Sequence, residues 1–171
     1  EVPTPRPQVP GAVSVAIAEA VDRLDPNREA GAVGIGLPGP TDASGRIARI
    51  AINLPGWIEV PLAAWLEARL GRSVVLTNDG NCALLGELWL GAARDVEDVV
   101  LLTLGTGVGG GVALGGRLFR GRCGAAAEPG LIAVEAETGA PCNSGNRGSL
   151  ESFCSLAGLA RLSARDPRDL I

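Results

Sequence analysis

Ser73-Val74-Val75-Leu76-Thr77-Asn78-Asp79-Gly80-Asn81-Cys82-Ala83-Leu84-Leu85-Gly86-Glu87-Leu88-Trp89 reads as a strand that runs straight into a helix. Residues 73–77 are a short apolar run rich in β-branched side chains, the pattern of a strand. Residues 79–92 place Leu84, Leu85, Leu88 and Trp89 on one side of a helix. The polar segment Thr77–Asn81 falls at the joint, beyond the carboxyl end of the strand, where ligands bind in α/β sheets.

Upstream the pattern repeats. Residues 60–70 predict a helix, with Pro61 near its start and Gly71 just past its end. Residues 32–37 are a second short apolar strand stopped by Pro38-Gly39-Pro40, and residues 46–52 predict another strand after Ser44-Gly45. Residues 11–24 carry Val13, Ile17, Val21 and Leu24 at helical spacing, behind a Pro-rich entry at 1–10. Strands alternating with helices imply an α/β sheet. Downstream, the charged run Arg94-Asp95-Val96-Glu97-Asp98 interrupts the pattern, so we expect one lobe over 1–95 and a second over 96–171. The second lobe predicts strands at 99–104 and 108–114, a Gly115-Gly116 hairpin turn into 117–119, a strand at 131–135 and one helix at 149–163.

Composition removes several function classes. The chain has 15 Lys plus Arg, all of them Arg, and no His. A Ser-His-Asp triad and His-based metal sites are excluded, and so is a Walker loop, which needs its lysine. The arginines are dispersed and the net charge is -4, so no basic nucleic-acid footprint is present. No apolar run approaches the ~20 residues that span a bilayer, and no basic, apolar leader opens the chain. The expectation is a soluble cytoplasmic protein with no membrane or nucleic-acid partner. The chain holds no Met, which we read as a sign of a processed or partial chain. Cys82, Cys123, Cys142 and Cys154 follow neither a disulfide framework nor a C-x-x-C pattern, and are read as thiols.

Gly accounts for 25 of 171 residues, about double the ~7% average, and concentrates at 105–130. Leu104-Gly105-Thr106-Gly107-Val108-Gly109-Gly110-Gly111 satisfies the letters of the dinucleotide fingerprint. That motif needs a helix at its last glycines, whereas strand and turn follow here. Two readings remain. One is a phosphate loop, in which successive backbone N–H groups and the Thr106 hydroxyl face an anion. The other is a tight hairpin with no ligand.

The acids have paired readings too. Asp79 or Asn78 caps the helix, or Asp79 accepts a proton from a substrate hydroxyl while Asn78 bonds neighbouring hydroxyls. Glu128, between Ala125-Ala126-Ala127 and Pro129-Gly130, is a surface carboxylate or a half-buried ligand. Glu151 opens the last helix and either complements its dipole or meets a substrate.

Taken in order, V-G-I-G-L-P-G-P-T-D (33–42), N-L-P-G-W (53–57), L-T-N-D-G-N-C-A-L-L-G-E (76–87), L-G-T-G-V-G-G-G-V-A-L-G-G-R-L-F-R-G (104–121), A-A-A-E-P-G (125–130) and C-N-S-G-N-R-G-S-L-E (142–151) resemble the motifs of ROK sugar kinases. The resemblance implies the actin-like, ribonuclease-H-like sugar kinase fold, with two lobes around a cleft, here incomplete. It implies phosphoryl transfer from ATP with Mg2+ to the 6-hydroxyl of a hexose, glucose first, with Asp79 as general base. Asn53, Gly56, Asn78, Glu128 and Glu151 resemble the sugar contacts, and Gly105, Thr106 and Gly107 the loop that receives ATP phosphates. Polyphosphate as donor stays open. Members of the family commonly dimerise, which implies a homodimer.

Three departures qualify the resemblance. The family's zinc pattern has a His near 131 and three Cys, where this chain has Leu131, Cys142, Ser144 and Ser149. A closed zinc site needs four good ligands, so no structural zinc is expected, and Asn143, Ser144 and Asn146 are expected to support the loop instead. Leu131 also replaces a histidine that helps hold the sugar, which implies weaker or altered sugar binding. The D-x-G-G-T phosphate loop and the adenosine part of the family are not among these residues. Two rivals share the fold: a sugar-responsive transcriptional repressor, and an inactive sugar-binding relative.

Overall fold

From the N-terminus run α1 (Pro10–Leu24), β1 (Ala32–Leu37), β2 (Ala48–Ile50), β3 (Ile58–Val60), α2 (Leu62–Leu70), β4 (Ser73–Asn78) and α3 (Asp79–Leu90). They are followed by β5 (Val99–Leu104), β6 (Val108–Leu114), β7 (Arg117–Leu118), a 3₁₀ turn (Pro129–Leu131), α4 (Leu150–Cys154) and α5 (Leu156–Ser163). The structure is a computed structural model that describes residues 1–51, 54–142 and 145–163. The chain forms two compact units, Glu1–Cys82 with Arg120–Ala125, and Ala83–Phe119 with the chain from Ala126.

In the first unit β1 and β4 pair in parallel, in register from Ala32↔Ser73 to Leu37↔Asn78. Parallel neighbours need a crossover, which β2, β3 and α2 supply. The strands β2 and β3 form an antiparallel pair. Leu62, Leu66 and Leu70 recur every fourth residue on α2 and are fully buried. With Val74 and Leu76 of β4, Val60 and Trp57 they make the core, against which Val13, Ile17 and Val21 of α1 pack. Each buried Leu contributes roughly 1.5–3 kcal/mol. Trp57 keeps its polar tip satisfied by donating Nε1–H to the Gln8 carbonyl at 2.8 Å.

Two carboxylates fasten this unit. Glu67 of α2 makes a bidentate pair with Arg46 and also accepts from the Val74 amide at 3.0 Å, while Arg46 Nη1 donates to the Val74 carbonyl at 3.1 Å. The Arg46 guanidinium first, and then the Val74 amide, hold the Glu67 carboxyl down at about 2. Asp42 closes the turn before β2. It accepts from the amides of Arg46 at 2.6 Å, Ile47 at 2.7 Å and Ser44 at 3.2 Å, and from the Ser44 hydroxyl. Burial pushes its pKa up, but the Ser44 hydroxyl and these amides outweigh it and hold the group at about 2.

In the second unit β5, β6 and β7 form an antiparallel sheet in that order. Gly115 and Gly116 link β6 to β7 with φ of 56° and 71°, the paired left-handed conformation that a two-residue hairpin turn requires. The 3₁₀ turn packs on β6, and α4 packs on the 3₁₀ turn, on β6 and on α5.

Three sequence expectations differ from the structure. The strand expected at 131–135 reduces to the 3₁₀ turn and a single bridge between Ala133 and Ser149. The helix expected over 149–163 breaks at Ser155, whose backbone is extended (φ -75°, ψ 165°) and whose Oγ accepts the Gly158 amide at 3.2 Å, starting α5 afresh. On α3 only Leu84 of the expected stripe is fully buried, whereas Leu85 and Trp89 are exposed. No helix among the described residues is long and apolar enough to cross a membrane.

Candidate functional site

In the first unit the joint between β4 and α3 carries Asn78 and Asp79. Asn78 ends β4 beside Leu37, the last residue of β1. Its Oδ1 accepts the amides of Gly80 at 2.8 Å and Asn81 at 3.2 Å, so Asn78 caps α3 in the way Asn favours. Its Nδ2 donates to the Gly39 carbonyl at 3.4 Å, across to the Pro38-Gly39-Pro40 turn. Asp79, the first residue of α3, is exposed, and its Oδ1 accepts from Gly80 N at 2.9 Å. The Cys82 thiol one turn on is pushed up, first by burial and then by the Asp79 charge. Gly56 sits in the turn before β3 with φ of 77°. Asn53 lies outside the described residues.

In the second unit Leu104 and Val108 close the β5–β6 hairpin, leaving Gly105-Thr106-Gly107 as its turn. The Gly105 amide donates to the Gly107 carbonyl at 3.0 Å. The turn is gripped from outside: the Leu156 amide donates to the Gly105 carbonyl at 3.0 Å, and Glu151 Oε2 accepts the Val108 amide at 3.0 Å. A Cβ on Gly107 would lie 2.5 Å from Glu151 Oε2, so a side chain there would force that carboxylate to shift. A cavity of about 170 Å³ opens beside the turn, lined by Thr106, Cys142, Glu151, Ser155 and Arg161 among others. Glu128, half-buried, directly precedes the 3₁₀ turn, and its carbonyl accepts the Leu131 amide at 3.1 Å. The second unit therefore gathers the glycine turn, Glu151 and the segment after Glu128 around β6, while Asn78 and Asp79 belong to the first unit.

Ser155 and Arg161 line the cavity without having been singled out in the sequence. A break signal was available, since Ser155 stands directly before the apolar start of α5 as a capping residue does.

The loop that the resemblance assigns to zinc offers a poor donor set. Leu131 has no ligand atom, and Ser149 is fully buried with its Oγ accepting the Ser152 amide at 3.3 Å. Ser144, like Asn143, lies outside the described residues. Among the described residues no three His, Cys, Asp or Glu gather as metal ligands. These residues do not fit a four-ligand zinc. The loop is held instead by backbone bonds: Val134 and Glu135 amides to the Gly148 carbonyl, Gly148 to Ala140, Cys142 to Asn146, and Leu150 to Ile132, at 2.8–3.0 Å. No disulfide joins the cysteines.

A parallel strand pair ending at a capped Asn-Asp joint, with a gripped glycine turn in a separate antiparallel sheet, is mixed α/β structure of the actin-like, ribonuclease-H-like fold class. The chain is a member of the ROK family, whose model matches residues 1–170. It is 46% identical over 145 residues to a glucokinase of Thermotoga maritima, covering 85% of this chain and 45% of that one. A crystal structure of a ROK family glucokinase from Streptomyces griseus in complex with glucose and AMPPNP is 39% identical, with a TM-score of 0.80 over 94% of this chain and 50% of that one. The ROK hexokinase from Thermus thermophilus is also 39% identical, with a TM-score of 0.83 over 95% of this chain and 54% of that one. The chain spans about half the length of the curated relatives it matches.

Proposed function

We propose that this chain is the part of an ATP-dependent hexose kinase that holds the sugar and one phosphate loop. Its substrate is a hexose, glucose first, and the reaction is direct transfer of the γ-phosphoryl group of ATP to the 6-hydroxyl. The observation that carries the reading is Asp79, exposed at the carboxyl end of a parallel strand pair on an asparagine-capped helix start. Asp79 takes the hydroxyl proton as the sugar oxygen bonds to the γ-phosphorus and the bond to ADP breaks. Asn53, Gly56, Asn78, Glu128 and Glu151 are the sugar contacts. Carboxylates suit that task because each accepts from several hydroxyls, at ~1.5–3 kcal/mol per charged hydrogen bond.

The turn Gly105-Thr106-Gly107 receives the phosphates of ATP, which enters with Mg2+: Thr106 and Gly107 offer backbone N–H groups and Thr106 its hydroxyl, while the Gly105 amide closes the turn on the Gly107 carbonyl. Such a step relies on positioning and electrostatics rather than on covalent chemistry by the protein. No structural zinc belongs to this reading. The likeness to a glucokinase crystallised with glucose and AMPPNP supports both ligand classes.

The test is Asp79→Asn in the full-length protein that carries this chain. The expected kcat falls by ~10²–10⁴-fold, the contribution of a positioned base, while hexose binding measured by calorimetry survives. Unchanged turnover would remove Asp79 from the mechanism. An absence of turnover in the unaltered protein, with hexose still bound, would favour a repressor or an inactive sugar-binding relative.

A further inference from the structure

Resting on that reading of the glycine turn as a phosphate loop, we propose that Glu151 is a positioning residue for the turn, acting through the Val108 amide and not only as a sugar contact. The turn at Gly105-Thr106-Gly107 is short and its glycines are intrinsically mobile in φ and ψ, so its amide directions need to be fixed by something outside it. Two outside bonds do this. Leu156, the first residue of α5, donates its amide to the Gly105 carbonyl at 3.0 Å, and Glu151 in the first turn of α4 receives the Val108 amide at 3.0 Å. One bond grips the residue that opens the turn, and the other grips the residue that follows it.

Glu151 is itself held. Ser149 caps α4 by accepting the Ser152 amide, and the Ser152 hydroxyl returns a bond to the Ser149 carbonyl at 2.7 Å. The packing of α4 on β6 and on the 3₁₀ turn sets the height of the carboxylate. Gly107 completes the fit, because a Cβ there would lie 2.5 Å from Glu151 Oε2. A carboxylate accepting a backbone amide makes a charge-assisted bond, shorter and stronger than a neutral one. Glu151 thereby links the helix that follows the loop at 142–149 to the segment that faces the phosphates.

The experiment compares Glu151→Ala with Glu151→Gln, since the glutamine carbonyl retains an acceptor for Val108. In the chain itself, amide hydrogen exchange reads the bond directly. Val108 should lose protection by about tenfold in Glu151→Ala, the size of one lost charge-assisted bond, and keep most of it in Glu151→Gln. In the full-length protein Glu151→Ala should raise KM for ATP and lower kcat, each by about tenfold. Glu151→Gln should restore most of both. Equal loss of hexose affinity in both variants, with KM for ATP and Val108 exchange unmoved, would overturn the proposal. If the full-length protein phosphorylates no hexose, the kinase reading fails, and Val108 exchange alone decides whether Glu151 holds the turn.

Discussion

Asp42 gives the first unit a defined acid sensitivity. Its carboxylate has an ordinary value of 3.8 and is held at about 2 in the folded chain. A depressed carboxylate stabilises the fold above its unfolded value, and the contribution is lost as pH falls through the folded value. At about pH 3 the unfolded group carries a proton most of the time and the folded group carries one about a tenth of the time. The difference, near ~0.8 proton, gives a slope of about 1 kcal/mol per pH unit. Integrated over the window, and discounted because the turn is partly open to solvent, the contribution is on the order of 1–2 kcal/mol. Urea denaturation of the chain and of Asp42→Asn, followed by circular dichroism from about pH 6 down to about pH 2, checks it. An asparagine turns donor hydrogens towards at least one amide or hydroxyl that Asp42 accepts from. The variant should be less stable near neutrality by the amount above, and the two curves should converge in acid. Glu67, also held at about 2, adds its own slope to both proteins and leaves the difference intact. Two parallel curves, with a constant gap down to the acid end, would refute the assignment of these bonds to the charged form.

Leu66→Ala should destabilise the first unit by ~2–5 kcal/mol in the same denaturation assay, because Leu66 is fully buried between Leu62 and Leu70. Leu24→Ala, at an 87% exposed position, should stay within ~0.5 kcal/mol, and equal losses at both sites would contradict the described core. Purified protein should contain no stoichiometric zinc, and chelator should leave its melting temperature unchanged. One tightly held zinc per chain in metal analysis would show that the loop at 131–149 finds ligands beyond Cys142.

The longer strands were legible because each is a short apolar run with turn residues at its ends, whereas the three residues of β3, Ile58–Val60, are too few to show a pattern and were not foreseen. Ala32–Leu37 stops at Pro38-Gly39-Pro40, and Val99–Leu104 stops at Gly105. Helical spacing located α3, but it could not show that Leu84 alone of its stripe is fully buried while Trp89 is 74% exposed. Periodicity states which residues share a face and is silent on what covers that face. The break at Ser155 had one weak signal, a capping residue before an apolar run, because α4 and α5 together keep a helical composition and the cap that separates them is one hydroxyl on the Gly158 amide. Asp42 was quoted only as the last letter of a motif. Its role emerges when the chain turns four donors from Ser44, Arg46 and Ile47 onto one carboxylate.

The same limit governs the candidate site. The sequence named both Glu151 and the turn at 105–107, yet it offered them as partners of two different ligands. Folding places them in contact across 43 positions, with Glu151 Oε2 on the Val108 amide. A carboxylate oxygen committed to a backbone amide is a fixed acceptor, and fixed acceptors orient what lies next to them. Whatever meets the turn at 105–107 therefore meets a surface whose direction α4 helps to set. That coupling is a property of the packing of α4 on β6, which no motif in the sequence spells out.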